Sequence, residues 1–170
     1  FAERAGVGHP ADDVARLAVT GPAAVLNENV TVDEEERFGQ FDVSSAGTLV
    51  FLDGPPNPHM TSTVLTLDRS GKENALPLPP GYYMLARFSP DGGRIALTRF
   101  SGIRGSIVMY ERKRHIVSTL TPEPGTHFVP VWSPDGRRIA FASFAERNPT
   151  LSVKNADGSG ERKLDPKTGK

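Results

Sequence analysis

Apolar and polar positions alternate along most of this chain in short runs, and Gly, Pro, Asp and Ser break the runs at regular intervals. Three segments carry the same pattern: Phe41-Asp-Val-Ser-Ser-Ala-Gly-Thr-Leu-Val-Phe-Leu52, Ala86-Arg-Phe-Ser-Pro-Asp-Gly-Gly-Arg-Ile-Ala-Leu97 and Pro130-Val-Trp-Ser-Pro-Asp-Gly-Arg-Arg-Ile-Ala-Phe141. In each, an apolar residue (Val43, Phe88, Trp132) ends one strand, a tight turn follows, and a half-buried strand begins at Arg94 or Arg138. Pro90 and Pro134 preset φ for the turn, and Gly92 and Gly136 accept the positive φ that side chains resist. Asp91 and Asp135 are placed to fold a carboxylate back onto turn N–H groups. The first segment has Ser45-Ala46 where the others have Pro-Asp, so its turn is weaker but keeps Gly47.

A second hairpin follows each segment. Third strands are predicted at Thr63–Leu67, Ser106–Tyr110 and Leu151–Lys154, turns at Asp68–Gly71, Glu111–Arg114 and Asn155–Gly158, and outer strands near Asn74–Leu78, Ile116–Leu120 and Glu161–Leu164. Ser44, Ser89 and Ser133 correspond, 45 and 44 positions apart. A repeat of about 40–50 residues with four short antiparallel strands is a propeller blade, and such blades are stable only when stacked. The expected fold is therefore all-β: one continuous partial β-propeller of about three and a half four-stranded blades. The units are 41–85, 86–129 and 130–170, with 1–40 the remnant of a preceding blade plus a crossover. Within that remnant, Val14–Val19 and Ala23–Val30 read as third and outer strands, and the acidic run Asp33–Glu36 as a solvated crossover loop.

Composition adds exclusions. Among 170 residues, 20 Lys+Arg balance 20 Asp+Glu, so no strongly basic face points to a nucleic-acid partner or an anionic membrane. Glycines and prolines, 17 and 15 of them, fall between apolar runs and not in one tract, as in a turn-rich β protein. Without cysteine there is neither a disulfide framework nor a thiolate metal site. No apolar stretch is long enough to insert into a membrane. The chain opens at Phe1 with neither Met nor a signal-like segment, which reads as a mature form or a piece of something longer.

Linear signals of chemistry are few. His9, His59, His115 and His127 form no metal-binding pair, so no metal and no cofactor are expected. The recurring Ser/Asp of the turns (Ser89, Pro90, Asp91, Gly92; Ser133, Pro134, Asp135, Gly136) reads as turn chemistry, since no nucleophile elbow and no placed base accompany it. Gly81, Gly102 and Gly105 are loop glycines lacking the strand–loop–helix context of a phosphate cradle. The basic cluster Arg112–His115 reads as a solvated hairpin tip, with contact to an anionic partner as the sharper alternative. Phe38, Tyr83 and His127 stand six positions before the aligned serines, where the chain enters the innermost strands. Such loops gather round one mouth of a propeller channel, so these three are the candidate ligand- or partner-binding residues; the alternative is packing between blades.

Phe88–Leu97, Trp132–Phe141 and the trailing Asn155–Leu164 resemble TolB-type, WD40-like repeats, a likeness covering about Phe38 to Leu164. Arg16–Leu26, Phe41–Leu52 and Leu65–Gly71 are also similar to the C-terminal propeller of certain bacterial membrane-anchored Ser/Thr kinases, though no kinase motif occurs here. The resemblance implies a non-catalytic interaction or sensor module that binds a protein, peptide or envelope component in a periplasmic or extracytoplasmic setting. Its alternative is a regulatory propeller of a larger kinase or serine peptidase whose catalytic domain lies outside this chain. About three and a half blades do not close a ring of the usual six to eight, so the expectation is a homodimer or missing blades from a longer parent chain.

Overall fold

The structure, a computed structural model, describes Val30 and residues 39–53, 61–144 and 149–164. These residues form twelve strands and no helix. The first sheet holds β1 (Phe41–Val43), β2 (Leu49–Asp53), β3 (Thr63–Leu67) and β4 (Glu73–Ala75); the second holds β5 (Tyr82–Phe88), β6 (Arg94–Ser101), β7 (Arg104–Glu111) and β8 (Ile116–Thr119). The third holds β9 (His127–Trp132), β10 (Arg138–Ser143), β11 (Thr150–Asn155) and β12 (Arg162–Leu164). Each is an antiparallel meander in chain order, and contacts between sheets run through β1, β2, β5, β6, β7 and β9. The sheets therefore stack as blades that converge on their first strands: a partial propeller. The preceding half-blade expected before Phe41 lies outside the described residues, apart from Val30, which bridges to Asp53.

The second and third strands of the middle blade run longer than their sequence pattern suggested, because Gly102, at φ 61°, closes Ser101 and Arg104 into a two-residue hairpin. Gly105, read as a loop glycine, is instead a buried position of β7. A Cβ there would lie 3.0 Å from the carbonyl oxygen of His127 and 3.1 Å from the Phe100 ring, so the bare backbone admits the neighbouring blade. The outer strand of the first blade stops at Ala75, earlier than the apolar pattern through Leu78 suggested. Pro77, Pro79 and Pro80 lack the N–H groups that would extend its ladder. Leu76 still donates to Val64 O at 2.9 Å, and Leu76 and Leu78 pack against the core.

Two apolar seams join the blades. Val50, Leu52 and Val64 of the first blade meet Tyr83, Ile95, Leu97, Val108 and Tyr110 of the second. The opposite face of the second blade, Ala96, Ile107 and Met109, packs on Ile139 and Phe141 of the third, with Trp132 at the border. Fully burying each large side chain of this kind contributes about 1.5–3 kcal/mol, so the seams dominate stability.

The first blade differs in register. Val43 pairs with Leu49, whereas Phe88 pairs with Ile95 and Trp132 with Ile139. Its turn is one residue shorter, so Leu49, not the Val50 that an ungapped alignment supplies, is the counterpart of Ile95. One residue exchanges the faces of a strand, which is why Val50 and Leu52 point towards the second blade.

Candidate functional site

The Ser-Pro-Asp-Gly turns spend their polar groups internally. Ser89 Oγ donates to the Asp91 carboxylate, whose Oδ1 also accepts from Gly93 N at 3.0 Å, while Arg94 N donates to Ser89 Oγ at 2.9 Å. Ser133, Asp135, Arg137 and Arg138 repeat this arrangement. The serine hydroxyl and the turn amide hold the Asp91 and Asp135 carboxyls below their ordinary range. Gly92 and Gly136, at φ 65° and 66°, donate to the serine carbonyls and complete the turns. The serines are thus fixed by their own turns, with no histidine in the constellation.

Of the three residues proposed for the channel mouth, Phe38 lies outside the described residues. Tyr83 and His127 occupy equivalent places at the starts of β5 and β9, and both are buried, at 1% and 2% exposure. Their surroundings differ. The Tyr83 hydroxyl donates to Pro79 O, and burial pushes it above the usual phenol range against the opposing pull of Arg99. The His127 ring stands edge-on to Phe141 at 5.6 Å between centroids, and neither ring nitrogen has a hydrogen-bond partner among the described residues. Thr98 Oγ1 and Ser152 Oγ are unpartnered in the same way. Register places Thr98 on the face of the second blade that meets the third, and Ser152 beside Phe141 on the facing surface. The seam below His127 therefore carries several polar atoms that sequence patterning did not flag.

Lys154 was missed as well. Its ammonium is buried within β11, donates to Glu123 and lies 3.5 Å from Glu161. Burial raises the Glu123 carboxyl, but the hydrogen bond from Lys154 and the Lys154 charge bring it below its ordinary range.

The basic cluster lies at the opposite end of the blades. Arg112 turns back to donate to Gly92 O at 3.0 Å and sits 5.5 Å from the Phe88 ring centroid. His115, at φ 54°, shares a 2.6 Å hydrogen bond with Tyr110. With Thr66, Asn74, Asp91 and Lys113 these residues line an open groove of about 550 Å³. Its arginine is already engaged by the fold. No group of three or more His, Asp or Glu that could hold a metal occurs among the described residues.

No family model matches the chain, and no curated protein matches it in sequence. Solved structures do. TolB from Acinetobacter baumannii is 20% identical, superposes with a TM-score of 0.63 and matches 75% of this chain but 32% of its own. The putative TolB from Agrobacterium tumefaciens (16% identity, TM-score 0.54) is matched over 73% of this chain and 63% of its own length. The fold is a TolB-like β-propeller. An acylaminoacyl peptidase from Pyrococcus horikoshii is also similar, at 16% identity and a TM-score of 0.55, over 75% of this chain and 25% of that one. The TolB-like chain thus spans about a third of the length of the Acinetobacter protein.

Proposed function

We propose that this chain is part of a non-catalytic propeller that binds a protein, peptide or envelope component at the end where loops lead into β5 and β9. His127 carries this reading. At one and the same position of the repeat, Tyr83 satisfies its hydroxyl on Pro79 O while His127 keeps two buried nitrogens without partners among the described residues. A buried polar group left so costs about 1–3 kcal/mol, a cost expected where a site serves binding and not only packing. Tyr83 and His127 would then shape the mouth, with His127 supplying the polar contact. A neutral net charge favours such a partner over nucleic acid. Resemblance to TolB-type repeats supports a periplasmic or extracytoplasmic setting for the module.

The test is site-specific photocrosslinking in the producing cell, with the probe at Thr126 beside β9 or at Lys72 in the β3–β4 turn at the far end. Adducts from position 126 that disappear in a folded His127→Ala variant are expected. Adducts from position 72 alone, or none from either, would discard the proposal.

The peptidase likeness favours a second reading, a regulatory propeller attached to a peptidase domain elsewhere. A catalytic domain encoded in the same reading frame would decide for it.

A further inference from the structure

We infer that the open groove beside the β7–β8 turn is a binding site for a small phosphate monoester, distinct from the candidate mouth and at the other end of the blades. Its two walls come from different blades. Thr66, Asn74, Leu76 and Pro77 of the first face the β5–β6 and β7–β8 turns of the second across about 550 Å³. That space exceeds a bare phosphate and suits one carrying a small organic group. The second wall is braced from within: Arg112 N donates to Gly93 O and Arg112 Nη1 to Gly92 O, both at 3.0 Å, so one turn is bolted to the other.

His115 is the observation that makes a site of this groove. In the β3–β4 and β11–β12 turns positive φ falls on glycine, at Gly71, Gly158 and Gly160. The β7–β8 turn puts it on His115, at φ 54°, a conformation that glycine adopts freely and a side chain resists. The strained backbone delivers the ring to the Tyr110 hydroxyl, 2.6 Å from Nδ1. Burial pushes that hydroxyl above the usual phenol range, outweighing the pull of Arg112, so it keeps its proton and donates. Nδ1 therefore accepts, and Nε2 carries the ring proton as a donor with no partner among the described residues.

The charges of the groove match an anion with several oxygens. Lys113 is exposed and forms no ion pair among the described residues. Arg112, though spent on the turn, adds a second positive charge. Among the described lining residues Asp91 is the one acid, and its Oδ1 is occupied by Ser89 and Gly93. Glu111, just before the turn, is paired with Arg114 at 3.6 Å. The Lys113 ammonium, the His115 Nε2–H and the Asn74 side-chain amide are three donors, one for each terminal oxygen of a phosphate monoester. A carboxylate offers only two. Leu76 and Pro77 supply an apolar surface for the organic group.

Titration of the isotope-labelled chain with phenyl phosphate, benzoate and benzyl alcohol, followed by amide chemical shifts, tests the site. Phenyl phosphate should shift Asn74, Lys113 and His115 saturably, with a Kd of about 1 mM for a ligand of this size. Benzoate should bind more weakly, and benzyl alcohol should cause no saturable shift. Lys113→Ala, at an exposed position, should weaken phenyl phosphate about tenfold without moving the Tm. His115→Gly restores the residue type of the other two turns, so it should abolish saturable binding yet keep or raise the Tm. Equal affinity for benzoate would overturn the phosphate assignment. Binding that survives both variants, or shifts spread evenly over other exposed cations such as Arg137 and Arg162, would overturn the site. A His115→Gly chain that binds normally but melts lower would reduce His115 to a structural tie on Tyr110.

Discussion

Gln40 reaches from the edge of the first blade into the second and accepts a hydrogen bond from the backbone N–H of Leu85 at 2.8 Å. Leu85 sits at φ 57° within a bulge that shifts the β5–β6 register between Met84 and Arg87. A bulge leaves one residue out of the ladder, and here a side chain of the neighbouring blade takes up its donor. Two residues on, Asp42 Oδ2 accepts from Phe88 N at 2.7 Å. Gln40→Ala should therefore cost about 1–3 kcal/mol, since it strands a buried amide. The urea midpoint reads it, and an unchanged midpoint would mean that the bulge relaxes onto other acceptors.

The depressed carboxyls of Asp91 and Asp135 set an acid limit. Their hydroxyl and amide partners favour the charged form in the folded chain, so this stability is complete above the unfolded value near pH 4 and fades as pH falls through the lower folded values. Thermal melts between pH 6 and 2 should show Tm falling below about pH 4. The double variant Asp91→Asn, Asp135→Asn should be less stable near neutrality and flatter in acid. A parallel acid limb in wild type and variant would refute the assignment.

The blades were legible because their signals are local. Ser-Pro-Asp-Gly encodes its own hydrogen bonds, and alternation marks each strand without reference to the rest of the chain. What the sequence withheld was relational. The missing turn residue between Val43 and Leu49 is invisible while Gly47 still aligns, yet it decides which face Val50 presents. Gly105 reads as a loop glycine until the carbonyl of His127 is found beside it. At the candidate mouth, pattern matched Tyr83 with His127 but carried no information on burial or on the unequal supply of acceptors. Lys154 sits in an alternating strand where a surface lysine is the usual assignment, and the carboxylates of Glu123 and Glu161 explain its burial.

Val129 holds φ 57° at the bulge of β9, a conformation that a β-branched residue adopts only under strain. It is 40% exposed, so removing its side chain forfeits little burial. Val129→Gly should then leave stability unchanged or raise it by up to about 1 kcal/mol, as relief of strain offsets the added freedom of the unfolded chain. Val131→Gly, at a regularly paired position, should instead destabilise. If chemical denaturation finds the two equally harmful, the bulge at Val129 stores no strain.

Arg94 and Trp132 meet across the second seam, and their coupling is separable from what each does alone. Arg94→Ala removes a charge-assisted bond to Gly136 O together with the ring contact, while Trp132→Leu removes the ring and its bond to Arg87 O. If the guanidinium–indole contact matters, the double variant loses less than the sum of the singles by about 0.5–1 kcal/mol, the range for partly exposed pairs. Arg94→Lys should recover little, because a point charge cannot stack on the ring and reach the carbonyl in the plane of a guanidinium fork. Additive losses in the double variant would assign the grip to the Gly136 carbonyl alone.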